Sequence, residues 1–115
     1  MSVPQLVEEF VAIGLAQYEA NVGNDVSKYN KLFRKMSAII AELGSRPGDE
    51  RSAFLALYEY PNLQVQLAAA RATLALAPAR ARALIETIAA SGDYTYAGDA
   101  GMCLVALDQG IFKPT

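Results

Sequence analysis

Apolar residues recur at three- and four-residue spacings along most of the chain, and the breaks between the periodic segments predict six helices and no strand. The clearest segment carries Val26, Tyr29, Phe33, Met36, Ile40 and Leu43, a spacing that only a helix brings to one side. Gly44 is expected to close it as a C-terminal glycine. Ahead of it, Pro4 with Glu8 and Glu9 in the early turns marks the start of a first helix. In that helix Leu6, Phe10, Ile13, Gly14 and Tyr18 share one broad face, Glu8, Ala12, Ala16 and Glu19 lie opposite, and Gly23 breaks the pattern.

Residues 45–49 read as a loop, with Arg46 biased away from helix by Pro47. A short third helix from about Asp49 to Tyr58 is expected to turn Phe54, Leu57 and Tyr58 inward, and a turn over residues 60–62 leaves Asn62 to cap the fourth. The fourth helix, Leu63 to Ala77, has two apolar faces: Val65, Ala68, Ala69, Ala72 and Leu76 on one, Leu63, Leu67, Ala70 and Leu74 on the other. Gln64 with Arg71, and Gln66 with Thr73, form narrow polar seams between them, the pattern of a helix packed from two sides. Pro78 starts a fifth helix with Ala81, Leu84, Ile85 and Ile88 inward. After a turn at Gly92 and Asp93, a sixth begins between Asp93 and Gly98 and presents Tyr96, Ala100, Cys103, Leu104 and Leu107. Gly110 and Pro114 bracket the tail.

The helix-turn-helix pattern from Phe54 to Leu107 occurs twice at a spacing of 31 residues. Phe54 falls on Ile85, Leu57 on Ile88, Pro61 on Gly92, Val65 on Tyr96, Ala69 on Ala100, Ala72 on Cys103 and Leu76 on Leu107. A period of this length around a turn residue predicts stacked helical hairpins, each burying a face against the next. The first copy, Phe54 to Leu74, resembles a HEAT-type repeat through Pro61, Asn62, Val65, Ala68 and Ala69, although Gln66 stands where that family usually has arginine. The whole chain is similar to a small bacterial family of unknown function through Asp25 to Asn30 (DVSKYN), Arg46 to Asp49 (RPGD) and Ala97 to Pro114 (AGDAGMCLVALDQGIFKP). That likeness implies a HEAT-like helical domain and brings no catalytic residues with it. The expected architecture is one all-α domain over residues 1–115, a short right-handed HEAT-like solenoid of three hairpins. Residues 1–44 form the long N-terminal pair and residues 49–109 the two repeats.

Composition narrows the partners. At 115 residues and 53% hydrophobic, the chain can bury roughly 65% of its unfolded surface and needs neither metal nor disulfide to fold. A net charge of −2 argues against general nucleic-acid or anionic-membrane binding, both of which rely on a positive field. The first apolar segment is interrupted by Glu8 and Glu9 and has no basic flank, so no signal peptide is expected. One cysteine, Cys103, cannot pair internally, and cytoplasm is the expected compartment.

Histidine is absent, which removes the usual general base and the commonest transition-metal ligand. With a single cysteine, zinc sites and Cys-His nucleophiles are also excluded, and no phosphate-binding glycine loop is present. Any reaction would rest on carboxylates, tyrosines or lysines alone, so no enzymatic activity and no cofactor are expected. Cys103 reads as a small buried hydrophobe. Asp93 and Asp99, with Tyr94 and Tyr96 between and Gly98 and Gly101 nearby, could meet a basic partner or cation; equally, one aspartate caps the helix and the glycines permit close packing. Lys28, Lys31 and Lys35 line one stripe of the second helix with Arg34 beside them, away from its apolar face. This is either a solvated surface or a docking patch for an acidic protein or a nucleic-acid backbone. Tyr60 adds an aromatic group at a hairpin loop. The expected function is a protein-interaction module, with an antitoxin-like or immunity-like masking protein and a nucleic-acid-backbone binder as alternatives.

Overall fold

The computed structural model describes residues 1–115 and is all helical: α1 (Val3–Val22), α2 (Val26–Ser45), a 3₁₀ helix (Glu50–Glu59), α3 (Leu63–Ala72), α4 (Pro78–Ala89) and α5 (Tyr96–Asp108). The chain divides into two units, Met1–Ala53 and Phe54–Thr115, with the division inside the 3₁₀ helix.

In the first unit α1 packs against α2 as an antiparallel hairpin. A capping box starts α1: the Ser2 hydroxyl accepts from Gln5 N–H at 3.2 Å, and Oε1 of the Gln5 side chain accepts from Ser2 N–H at 2.8 Å. Its buried residues are Leu6, Phe10, Ile13, Gly14, Gln17 and Ala20. Tyr18, expected inward, is exposed, because the covered arc is centred on Phe10 and Gln17 and Tyr18 lies beyond its edge. In α2 the buried line is Met36, Ile39 and Leu43. Val26 and Phe33, also expected inward, are exposed at 69% and 49%, while Tyr29 and Ile40 are half-buried. The covered arc is therefore rotated from the apolar stripe toward Ile39.

Gly44 does not close α2. The helix runs on to Ser45, whose hydroxyl donates to the Glu42 carbonyl at 2.8 Å, and it stops at Arg46, extended with ψ 150° ahead of Pro47. Gly44 instead carries Arg51: a Cβ there would meet Nε of Arg51 at 3.2 Å. The left-handed residues that turn the chain are Gly48 (φ 81°) and Asp49 (φ 52°). Asp49 then pairs with Arg51 at 2.6 Å.

The third helix is 3₁₀ rather than α over ten residues, long for that geometry. Phe54 and Leu57 are its buried residues, and a three-residue interval places side chains on one line in a 3₁₀ helix as readily as it places them on one face of an α-helix. The second unit is built from the part of this segment from Phe54 onward and α3 to α5, with α4 on α5 and α3 on both. Leu67, Ala70, Leu74, Ile85, Ile88, Tyr96 and Ala100 form its core.

The Asn62 side chain accepts from Val65 N–H at 3.2 Å and starts α3. Buried residues occur on both sides of that helix, Val65, Ala69 and Ala72 as well as Leu67 and Ala70. It ends five residues earlier than expected. Thr73, fully buried, turns its hydroxyl back onto the Ala69 carbonyl at 2.7 Å, a bond that competes with helical continuation. Leu76, expected inward, is left exposed. Of the seven positions paired by the 31-residue spacing, Phe54 and Ile85, Leu57 and Ile88, Val65 and Tyr96, Ala69 and Ala100, and Ala72 and Cys103 are buried in both copies.

Candidate interaction surface

The second helix concentrates free positive charge. Asp25 caps it, its carboxylate accepting from Lys28 N–H at 3.0 Å, and Lys28, Lys31 and Lys35 then follow at three- and four-residue steps with Arg34 alongside. All four cations are exposed and none is ion-paired.

Most of the other positive charges are engaged. Arg46 meets Glu42 at 3.0 Å, Arg51 meets Asp49, and Arg82 meets Asp108 at 2.9 Å and Glu86 at 3.6 Å. Arg71 lies 6.0 Å from the centroid of the Phe112 ring and Arg80 lies 5.5 Å from that of Tyr58. Apart from Lys113 in the tail, the only Lys and Arg side chains engaged by neither a carboxylate nor a ring are those four on α2.

The remaining candidates lie in the second unit and serve the local fold to different degrees. Asp93 starts α5, its carboxylate accepting from the N–H groups of Thr95 at 3.0 Å and Tyr96 at 2.9 Å. Tyr60 is half-buried, and its carbonyl accepts from the Gln66 side chain at 2.7 Å. Asp99 is exposed in the first turn of α5; partial burial pushes its carboxyl up from the usual range and the charge of Arg71 opposes that. Asp93 and Asp99 gather no third metal-ligating side chain. Gly98 and Gly101 permit no close approach, because a Cβ on either would meet nothing within 4 Å. The Cys103 thiol is buried, and desolvation pushes its pKa up against the fields of Arg71 and Arg82, which keeps it from being a reactive thiolate.

Sequence periodicity also missed that several apolar residues of this hairpin are exposed. Leu15, Tyr18 and Val22 of α1 are exposed, as are Val26 and Phe33 of α2. The available signal was the breadth of apolar positions in α1, more than one buried face can absorb.

A family model described as a domain of unknown function, DUF2019, matches residues 4–108. The chain belongs to the DUF2019 family. It is 49% identical to the protein RPA1889 from Rhodopseudomonas palustris CGA009, whose crystal structure superposes with a TM-score of 0.95 over 100% of this chain and 95% of that one. No curated protein matches it. No helix of this DUF2019 chain is long and apolar enough to cross a membrane.

Proposed function

We propose that this DUF2019 domain is a non-enzymatic protein-interaction module, built as a short HEAT-like helical repeat and docking an acidic protein surface on α2. The observation that carries the reading is the contrast in charge pairing. Five of the six cations outside α2 are matched by a carboxylate or a ring, whereas Lys28, Lys31, Arg34 and Lys35 stand exposed and unmatched on one helix. Uncompensated charge of one sign raises the encounter rate with a partner of the other sign. Arg34 adds a guanidinium, a side chain that often anchors interfaces. The repeat reading is supported by the matched burial at Phe54 and Ile85, and at Ala69 and Ala100.

The test compares the wild-type chain with a variant in which Lys28, Lys31 and Lys35 are all glutamine, each used as bait under nuclease treatment. A partner retained by the wild type and lost by the variant supports the reading. Retention that disappears on nuclease treatment alone assigns the stripe to nucleic-acid backbone instead.

A further inference from the structure

The hairpin of the first unit has a second face, on the side away from the lysines. Four residues along a helix turn about 40° round it. In α1 the row Phe10, Gly14, Tyr18 and Val22 turns in this way from 0% exposure at Phe10, past buried Gly14, to 37% at Tyr18 and 67% at Val22. In α2 buried Met36 is followed by half-buried Ile40, and exposed Phe33 and Val26 lie further round in the same sense. The two helices are antiparallel, so the same sense of rotation brings both rows to one side of the hairpin. A cleft lined by Asn21 of α1 and by Val26 and Tyr29 of α2 joins the rows at their loop end. The row Ile39, Lys35 and Lys31 turns the opposite way, which puts the lysine stripe on the other side.

The apolar residues of this second face form a groove. Val7 of α1 with Tyr29 and Ile40 of α2 are half-buried along its floor. Leu15 and Val22 on one wall, and Val26 and Phe33 on the other, are exposed. Chain reversal around Asn24 sets Val22 level with Val26, and Leu15 level with Phe33. From Val26 to Ile40 the groove runs about 20 Å along the hairpin. Charge enters only at its borders. Glu8 and Glu19 stand on the outer edge of α1, both exposed and neither ion-paired, and α1 has no Lys or Arg. Asp25 closes the loop end, and Asn30 and Arg34 hold the outer edge of α2.

We propose that this groove receives a single amphipathic helix of a partner protein, apolar on the face it inserts and cationic along the edge it lays beside α1. A helix is about 10–12 Å across with its side chains, a rod that fills the furrow between two others. Apolar anchors at three- and four-residue steps along it meet Tyr29, Phe33 and Ile40. Glu8 and Glu19, with no ion-pair partner in the chain, fix the sign of the flank: cations there are attracted and carboxylates repelled. A second copy of the chain brings an identical groove, which does not fill this one. The face is separate from the lysine stripe, and the proposal does not depend on the reading of that stripe as a docking surface.

Fluorescence anisotropy of two labelled synthetic peptides, at physiological salt, tests this. Both peptides carry leucine at three- and four-residue steps on one helical face; one has lysine along a single flank, and the other has glutamate at the same places. The wild-type chain is expected to bind the lysine peptide, and the glutamate peptide about tenfold more weakly or less. Glu8→Lys with Glu19→Lys is expected to reverse that preference. Val22→Ser with Phe33→Ser is expected to weaken the lysine peptide by about tenfold or more, with unchanged circular dichroism because both side chains are exposed. Replacing Lys28, Lys31 and Lys35 by glutamine is expected to leave binding as in the wild type, which separates failure here from failure of the lysine reading. A wild type that binds neither peptide overturns the proposal. So does a lysine peptide held equally by the Val22→Ser, Phe33→Ser variant, the mark of general attraction to an acidic chain, or a preference that reversal of Glu8 and Glu19 leaves unchanged. Sedimentation of the wild type at twice the 12.3 kDa of one chain, lost in the Val22→Ser, Phe33→Ser variant, assigns the face to a second copy and also overturns it.

Discussion

The Tyr58 hydroxyl lies 2.5 Å from the Thr73 hydroxyl, joining the 3₁₀ helix to the end of α3 across 15 residues. Thr73 has one hydroxyl proton, and the Ala69 carbonyl at 2.7 Å accepts it, so Tyr58 is the donor in the pair. The bond ties the 3₁₀ helix to the residue at which α3 stops. Tyr58→Phe deletes the donor and keeps the ring beneath Arg80, and it is expected to cost about 0.5 to 1.5 kcal/mol. Urea unfolding with a lower midpoint and an unchanged slope is the expected result; an unchanged midpoint would mean the bond contributes nothing.

Gly101 sits inside α5 with nothing within 4 Å of a Cβ built on it, and its φ is not positive. Gly101→Ala is therefore expected to stabilise the protein by about 0.4 to 1 kcal/mol, through the helical preference of alanine and a less disordered unfolded chain. Gly92, at φ 76° in the turn before α5, is expected to respond to alanine in the opposite direction, because an L side chain is strained there. Thermal melts of the two variants should shift in opposite senses.

Asp49 gives the pH dependence a defined sign. Its hydrogen bonds to the Arg51 guanidinium hold its carboxyl below the ordinary value of 3.8. A lowered folded-state value means the stabilisation is complete above the unfolded-state value and is lost as pH falls through the folded one. Asp49→Asn keeps a residue that tolerates φ 52° and removes the charge. Its stability deficit against the wild type should be constant from neutral pH down to the mildly acidic range and should vanish in strong acid. A deficit that persists there would show that the amide substitution acts through something other than charge.

The second unit was the more legible in sequence, because its repeat constrains each position twice. Phe54 and Ile85, or Ala69 and Ala100, could share a spacing and a residue type only if both stood in equivalent packed places, and all four are fully buried. Three features escaped that logic. Thr73 ends α3 through a hydroxyl bond that helical periodicity does not register. The interval between Phe54 and Leu57 suits both helix types, so it left the 3₁₀ geometry undetermined. In α2 an apolar stripe wider than the buried arc leaves its covered edge unspecified, which is why Ile39 is buried and Phe33 is not. The cations of α2 were legible as a stripe, but their lack of partners depends on where the carboxylates of the fold point.

Association kinetics across a salt series test the central claim most directly, using a captured partner with the wild type and the Lys28→Gln, Lys31→Gln, Lys35→Gln variant. These side chains are exposed and unpaired, so the triple change should leave stability within about 0.5 kcal/mol per site. If α2 steers an acidic surface, the variant should associate more slowly, with the gap widest at low salt and closing as the charges are screened. Equal association rates at low salt would contradict the claim and leave the stripe as a solvated helix face.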